Sequence, residues 1–445
     1  MPTVALIGTL DTKAVEYRFL KERVVAAGCE VVVIDTGVIG EPGFAPDVTS
    51  SEVATAAGQD LDSLRTAGRG AAVTAMGRGA GALLSTMAAQ GRVHGAIGMG
   101  GSGGSSIVAA AMQPLPIGFP KVIVSTMASG DTRAFVGSSD VTLVNSVVDI
   151  SGLNRVLRRV LSNAAVAVAA MAQSYASTAP VDSEAPVIGA TMFGVTSTGV
   201  TIARRWLEDR GYEVLVFHAN GAGGRAMEAL MRQGVITGAL DVTTTELVDE
   251  LVGGNLSAGP QRLEVAGALG LPQVVSLGAL DMANFGPLAS VPERYRGRRL
   301  NVHNPAITLM RTTPEECGRL GEILAGKLNA ARGPVAVFIP KRGVSSLSVA
   351  GADFHDPDAD AALFGALRAA LDPAIQIVEV DADINDAAFA VAMAECADWL
   401  YRTWRAAGIQ ASEQGRDLGT SHGGRGGGDE RRLATAPAHQ AVSIE

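Results

Sequence analysis

The sequence predicts an α/β protein with two Rossmann-like domains, each built on an open parallel β-sheet, followed by a disordered C-terminal tail. Two observations favour this fold class. Short, almost continuously apolar runs alternate with alanine-rich segments of helical length, which is typical of parallel strands covered by helices on both faces. The alternation starts again after a polar gap at residues 174–186, which indicates a second domain of the same kind.

The first half contains five predicted strands and four predicted helices. The strands are short apolar runs, and the helices occupy the alanine-rich segments between and after them. The strands are predicted at residues 3–7, 30–35, 93–97, 121–125 and 141–144, and the helices at 13–27, 71–90, 104–112 and 155–173.

The second half shows the same order of apolar and alanine-rich segments. Its strands are predicted at residues 187–191, 213–217, 236–240, 273–277, 335–339 and 375–380. Its helices are predicted at residues 198–210, 224–233, 262–269, 315–329, 359–371 and 387–404.

The two halves are predicted to be a diverged internal repeat. Single matches are weak because strand ends resemble one another, but four matches occur in the same order. The matched segments are 4–8 with 186–189, 28–31 with 211–214, 95–98 with 238–241, and 120–125 with 272–276. We therefore expect domains at 1–175 and 185–407, a ligand cleft between them, and a low-complexity tail at 408–445.

The composition excludes several classes of protein. The 445 residues include 54 glycines without a collagen period, and the net charge is −9 without a long basic cluster, so nucleic-acid binding is not expected. No apolar run reaches the ~18 residues of a membrane helix, and the N-terminus lacks the basic region of a signal peptide. The cysteines Cys29, Cys317 and Cys396 form no metal motif. We expect a cytoplasmic protein.

Small and polar residues follow four strands of the first half, where ligands of open α/β sheets bind. The glycine-rich loop at 98–106 is typical of a backbone anion site. The loop at 8–13 opens a helix whose free N–H groups favour phosphate, although Asp11 or Thr12 capping that helix is the alternative. The loops at 125–132 and 145–149 add hydroxyl groups and carboxylates, and Asp131 either coordinates magnesium or caps a helix.

Other candidate groups are less specific. Asp35 ends the second strand, where an acid holds the ribose in dinucleotide-binding folds, but the first turn lacks G-x-G-x-x-G and NAD is not favoured. His303 lies beside Asn304 and could act as an acid–base group or as a hydrogen-bonding loop residue. No zinc spacing and no Ser-His-Asp grouping is visible.

Several of these motifs together resemble uncharacterised protein family 0261, which includes the ATP-binding N-terminal region of a tomato mosaic virus resistance protein. They are residues 7–13, 98–104, 116–130, 146–150, 304–313 and 341–345, so the resemblance extends over about residues 3–405. The resemblance implies two Rossmann-like domains, ATP with magnesium in the first domain, and a homodimer or higher oligomer. It also implies that Asp11, Thr12 and Lys13 hold phosphate or magnesium. Asp131 departs from the plant motif, which has glutamine there.

We expect an ATP-binding protein of unknown physiological role. One alternative is an enzyme that uses ATP or another phosphorylated molecule at the cleft between the domains, and another is an oligomeric scaffold with ATP as a structural ligand. The candidate catalytic residues are His303, Asn304, Arg311 and Glu246. Asp11 is the predicted magnesium ligand. The predicted nucleotide-binding residues are Gly8, Thr9, Asp11, Thr12, Lys13, Gly98, Gly100, Gly101, Ser102, Gly103, Gly104, Ser105, Thr126, Met127, Ala128, Ser129, Gly130, Ser146 and Asp149.

Overall fold

The computed structural model describes residues 1–178 and 185–418, with side chains as far as residue 408. The chain divides into two compact units, Met1–Asp182 and Ser183–Glu445. Each unit contains one parallel sheet covered by helices, so the predicted α/β fold class is confirmed. No helix within the described residues combines the length and the hydrophobicity of a membrane span.

The first unit is a five-stranded parallel sheet with the strand order β2-β1-β3-β4-β5. Its strands are short and apolar, and β1, β3 and β4 are buried along their whole length. In chain order its elements are β1 Thr3–Gly8, α1 Ala14–Ala26, β2 Glu30–Asp35, α2 Ser50–Ala56, α3 Leu61–Thr66, α4 Arg69–Ala89, β3 Gly95–Gly100, α5 Ser102–Met112, β4 Lys121–Ser125, α6 Arg133–Val136, β5 Thr142–Asn145 and α7 Arg155–Ser177.

The helices of this unit divide between the two faces of the sheet. Helices α1 and α7 cover one face, where Leu20 and Leu161 share an apolar core. Helices α4 and α5 cover the other face through Met76 and Val108. Because α1 follows β1 and α5 follows β3, these neighbouring strands send their helices to opposite faces. The gap between β1 and β3 is the topological switch point at which open α/β sheets bind ligands.

Tyr17 of α1 joins β1 to β3 just below the switch point. Its side chain is fully buried, and its hydroxyl group donates to the carbonyl oxygen of Ile7 at 2.6 Å and accepts from the amide of Met99 at 2.8 Å. Burial raises the pKa of Tyr17 above its usual value. A Cβ atom on Gly8 would lie 1.9 Å from the Tyr17 ring, so this position requires glycine for packing.

The second unit has a six-stranded parallel sheet of order β14-β13-β9-β8-β6-β7 and a three-stranded antiparallel sheet of order β10-β12-β11. In chain order its elements are β6 Val187–Met192, α8 Ser197–Glu208, β7 Glu213–His218, α9 Ala222–Arg232, β8 Gly238–Thr243, α10 Glu246–Val252, α11 Val265–Ala268, β9 Gln273–Gly278, β10 Met282–Phe285, β11 Leu300–Asn304, β12 Ile307–Arg311, α12 Pro314–Asn329, β13 Val335–Pro340, α13 Pro357–Ala370, β14 Gln376–Val380 and α14 Ala387–Leu418.

The two sheets have equivalent topologies, as the internal repeat predicts. Read from one edge, β7-β6-β8-β9-β13 follows the same course as β2-β1-β3-β4-β5. The hydrogen bonds also correspond: the amide of Glu30 donates to Pro2 at 2.9 Å, and that of Glu213 donates to Pro186 at 3.0 Å. Each matched pair of segments therefore contributes equivalent strands to the two sheets.

The structure adds elements that the sequence pattern does not reveal. Helices α2, α3, α6 and α10 have four to seven residues, which is too short for a helical hydrophobic period to be recognised. The antiparallel sheet β10-β12-β11 is likewise an addition to the predicted pattern. Helix α14 continues to Leu418, so the predicted domain boundary at 408 falls inside it. Residues 419–445 of the predicted tail lie outside the described residues.

Replacing Tyr17 with Phe removes the hydroxyl group that joins β1 to β3. The amide of Met99 and the carbonyl oxygen of Ile7 then lose a buried partner, so we expect the free energy of unfolding to fall by about 1–3 kcal/mol. Urea denaturation followed by circular dichroism measures this change. Tyr175→Phe is the control because this half-exposed ring packs on Phe119. Equal midpoints for the two variants would contradict the role of the Tyr17 hydroxyl group.

Candidate functional site

A cavity of about 570 Å³ lies at the switch point of the first unit. We call it the switch-point cavity. It is enclosed by the loops that follow β1, β2, β3 and β5, together with α3 and the start of α4. Ten predicted nucleotide-binding residues line it: Thr9, Asp11, Thr12, Lys13, Gly100, Gly101, Ser102, Gly103, Gly104 and Asp149. Loops far apart in the sequence therefore meet at one place, as the parallel topology predicts.

The N-terminus of α5 opens into the switch-point cavity. Gly101 is the N-cap residue and has no side chain to satisfy the first turn. The first hydrogen bond of the helix runs from the amide of Ser105 to the carbonyl oxygen of Gly101 at 2.9 Å. The amides of Ser102, Gly103 and Gly104 come before this bond and have no acceptor within the helix. Free amides and the positive end of the helix dipole make this turn suited to an anion.

The glycines of this loop have two different roles. A Cβ atom on Gly98 would lie 2.5 Å from Val108, and one on Gly100 would lie 2.7 Å from the Cα atom of Gly104, so both positions need glycine for close packing of α5 on β3. Gly101 has more space, since its nearest neighbour would be the Thr126 hydroxyl group at 3.6 Å. Gly101 therefore keeps the first turn of α5 open, whereas Gly98 and Gly100 serve the fold.

A second helix N-terminus lies beside that of α5. Helix α4 also begins after a glycine, Gly68, and has no side-chain cap. Its first residue, Arg69, lines the cavity, and a Cβ atom on Gly103 would lie 3.2 Å from Nη2 of Arg69. Sequence reasoning missed Arg69 because it follows no strand and enters the cavity only through the packing of α4 against α5.

The loop after β1 is held by its own polar side chains. The hydroxyl groups of Thr9 and Thr12 are 2.9 Å apart, and the Lys13 amino group donates to the carbonyl oxygen of Ile150. Asp11 accepts the amide of Ile39 through Oδ2 at 2.9 Å, whereas its Oδ1 is buried without a partner among the described residues. Asp11 thus fastens the loop after β2 and retains one unused oxygen. Neither Asp11 nor Thr12 caps α1, because Lys13 is its N-cap residue.

At the end of β2, the carboxylate of Asp35 is occupied by hydrogen bonds, whereas the hydroxyl group of Thr36 is not. Asp35 is fully buried and accepts the amides of Leu10 at 3.0 Å and Gly37 at 2.9 Å, while burial raises its pKa. These bonds tie the loops after β1 and β2 together, which gives Asp35 a structural role. Thr36 lines the cavity and is 1% exposed, and its hydroxyl group has no partner within the described chain.

The other predicted nucleotide-binding residues lie outside the lining of the cavity. Ser105 and Ser125 share a buried 2.6 Å hydrogen bond, and Ser146 donates to the carbonyl oxygen of Val148 at 2.6 Å, so these hydroxyl groups stabilise the loops. The segment from Thr126 to Gly130, with Met127, Ala128 and Ser129, follows β4 beside the first turn of α5. Gly8 and Gly98 pack beneath the cavity.

No cluster of three or more His, Cys, Asp or Glu side chains suited to a metal ion occurs among the described residues. Asp131 pairs with Arg133 at 2.6 Å, and this hydrogen bond lowers the pKa of Asp131 to about 2. Asp11 is the carboxylate of the β1 loop that lines the cavity.

Apolar side chains form part of the lining of the switch-point cavity. Leu64, Val73 and Met76 come from α3 and α4, and Val38 comes from the loop after β2. This part of the lining is not recognisable in the sequence, because the helical pattern does not distinguish core side chains from those that face a cavity. The cavity therefore has a phosphate-compatible end and an apolar side.

Glu246, a candidate catalytic residue of the second unit, is completely buried at the start of α10. Its carboxylate accepts the amides of Gly221 at 2.6 Å and Gly224 at 3.1 Å, and it pairs with Arg262 at 2.6 Å. Arg262 also pairs with Asp241 at 2.6 Å. These bonds hold the loop after β7 to the end of β8, which is a structural role.

The other three candidates occupy different surroundings. Arg311 is buried, pairs with Asp360 at 2.8 Å and donates to the carbonyl oxygen of Phe354 at 2.8 Å. His303 and Asn304 are exposed at the tip of the β11–β12 hairpin, where Asn304 closes the turn by accepting the amide of Ala306 at 2.8 Å. No hydrogen bond within the described chain joins any two of the four candidates.

Comparison with known proteins identifies the family. Residues 2–177 match the N-terminal domain of uncharacterised protein family UPF0261, and residues 185–400 match its C-terminal domain. UPF0261 proteins of Clostridium tetani and Rhizobium meliloti are 49% and 46% identical to the chain, each over 88% of the chain and 97% of the relative. The ToMV resistance protein Tm-1(GCR237) of Solanum lycopersicum is 40% identical over 88% of the chain and 55% of its own length. The chain belongs to the UPF0261 family.

Proposed function

We propose that the first unit binds a magnesium nucleotide, with ATP as the ligand, in the switch-point cavity. The observation that carries the proposal is the first turn of α5, which lacks a side-chain cap and opens into the switch-point cavity. Phosphate groups bind at such helix ends because the free amides donate hydrogen bonds and the dipole favours negative charge. Three of the motifs that carry the resemblance to the family, residues 7–13, 98–104 and 146–150, contribute residues to the lining of this cavity.

The two sides of the cavity suit the two parts of a nucleotide. Its volume of about 570 Å³ is within the ~300–1,000 Å³ typical of small-molecule sites. The amides of Ser102, Gly103 and Gly104 would receive the phosphates. The partly exposed apolar side chains of Val38 and Val73 would cover the base, since aromatic bases bind in apolar surroundings.

Magnesium would enter together with the nucleotide. Mg²⁺ keeps several water ligands and is usually held by one or two carboxylates together with substrate phosphates. Asp11 fits this role, because Oδ1 is free of hydrogen bonds while Oδ2 fixes the direction of the carboxylate through the amide of Ile39. Thr12 and Lys13 follow Asp11 at the start of α1 and complete the polar end of the site.

We favour ligand binding as the function of the chain over the alternative in which the four candidate residues of the second unit catalyse a reaction. Glu246 and Arg311 are committed to buried ion pairs, and removing either would leave unpaired charges in the core. A ligand site between the domains, a homo-oligomeric state and a cytoplasmic location stay predictions. The cleft is expected from the internal repeat, the cytoplasmic location from the composition, and the oligomer from the resemblance to the family.

Isothermal titration calorimetry of the full chain with Mg-ATP tests the proposed function. We expect one nucleotide per chain with a Kd below about 1 mM, because the free amides at a helix N-terminus bind phosphate oxygens. No measurable binding at millimolar Mg-ATP would contradict the proposal.

Gly101→Val tests whether the first turn of α5 is the phosphate site. A valine side chain would occupy the space in front of the free amides, so we expect affinity for Mg-ATP to fall by about tenfold or more, or at least ~1.4 kcal/mol. Gly297→Val is the matched control, since a Cβ atom there meets open space in the second unit. Unchanged affinity in a folded Gly101→Val protein would remove this turn from the site.

Gly100→Ala and Gly101→Ala compare a glycine that close packing requires with one that has space for a side chain. The new methyl group at residue 100 would collide with the Cα atom of Gly104 at 2.7 Å, so we expect unfolding to become easier by about 1–3 kcal/mol. Gly101→Ala has space and should melt within about 2 °C of the wild type. Equal thermal stability of the two variants would show that the close approach of α5 to β3 tolerates a side chain.

A further inference from the structure

Arg69 is a positively charged residue of the switch-point cavity whose side chain has no partner within the described residues. Arg65 also lines the cavity, but it pairs with Asp62 at 2.6 Å and donates to the carbonyl oxygen of Val38 at 3.1 Å. Lys13 donates to the carbonyl oxygen of Ile150. The Arg69 guanidinium group, by contrast, has no hydrogen bond and no ion pair within the described residues.

The position of this guanidinium group is electrostatically unfavourable without an anion. Arg69 is the first residue of α4, and its Nη2 atom lies 3.2 Å from where the Cβ atom of Gly103 would be, in the first turn of α5. Two helix N-termini and a cation thus share one end of the cavity, although cations are disfavoured at the positive end of a helix. Both helices begin after glycine, so no capping side chain offsets the charge.

A second observation points to a polar ligand in the same cavity. The hydroxyl group of Thr36 is buried in the lining and has no partner within the described chain, and the same holds for Oδ1 of Asp11. Buried polar atoms are nearly always hydrogen-bonded, so orphaned oxygens in the lining of a cavity point to an occupant with hydrogen-bonding groups. The cavity therefore combines unused positive charge with unused polar atoms.

We infer that Arg69 and the N-terminus of α4 bind the distal phosphate of a polyphosphate chain, while α5 binds the phosphates nearer the base. This inference rests on the proposed function and adds a ligand class to it: the site selects a nucleoside triphosphate over the diphosphate. A guanidinium group forms paired hydrogen bonds with phosphate oxygens, which suits a terminal phosphate with three of them. Removing that phosphate leaves Arg69 again without a partner.

The test compares ATP, ADP and inorganic tripolyphosphate by calorimetry, each with magnesium, on the full chain. We expect the wild type to bind ATP at least about tenfold more tightly than ADP. Arg69→Gln should weaken ATP and tripolyphosphate by about tenfold or more and leave ADP within about threefold, so the preference for ATP disappears. Arg69→Lys keeps the charge without the paired donors and should fall between the two.

Arg92→Gln is the matched control. It makes the same change of charge in the same unit just beyond the other end of α4, roughly 30 Å along the helix from Arg69. It should leave all three affinities within about twofold of wild type. Without ligand, Arg69→Gln should melt no lower than wild type, since it removes a cation from two positive helix ends. A lower melting temperature would show that Arg69 is structural and would overturn the inference.

The outcomes separate failure of the inference from failure of the proposed function. Equal losses for ATP and ADP in Arg69→Gln, or no loss for either, would overturn the distal-phosphate role and leave nucleotide binding intact. Binding of tripolyphosphate that depends on Arg69, without binding of ATP or ADP, would support the anion site and refute the nucleotide. No binding of any of the three probes would overturn both.

Discussion

The separation of β1 from β3 at their carboxyl ends determines where the first unit can hold a ligand. The strand order β2-β1-β3 places α1 and α5 on opposite faces, and the gap that opens between them becomes the switch-point cavity. Tyr17 holds the two strands together directly below this gap through its buried hydroxyl group. The loops above it are then free to present polar groups without weakening the sheet.

Glycine serves opposite purposes within a few residues of this gap. Gly8, Gly98 and Gly100 are required because a side chain would collide with Tyr17, Val108 or the backbone of α5. Gly101 and Gly68 instead leave the helix ends without caps, so that amides face the cavity. The high glycine content is therefore explained in part by packing and in part by a binding surface made of backbone.

The fold was largely predictable for two reasons. Buried parallel strands are continuous apolar runs, and the internal repeat shows the same order of strands twice. The β11–β12 hairpin and helices α2 and α3 were not, because their hydrophobic patterns are short. The sequence also could not separate a buried ion pair from a reactive group, as Glu246 and Arg311 show. Arg69 was missed because only the packing of two helices brings it to the cavity.

A crystal structure of the chain with Mg-ATP tests the central claim most directly. We expect the phosphates to lie on the amides of Ser102, Gly103 and Gly104, with the distal phosphate beside Arg69 and the base against Val38 and Val73. Nucleotide bound elsewhere, or density in the second unit with the switch-point cavity empty, would contradict the claim that the parting of β1 and β3 creates the site.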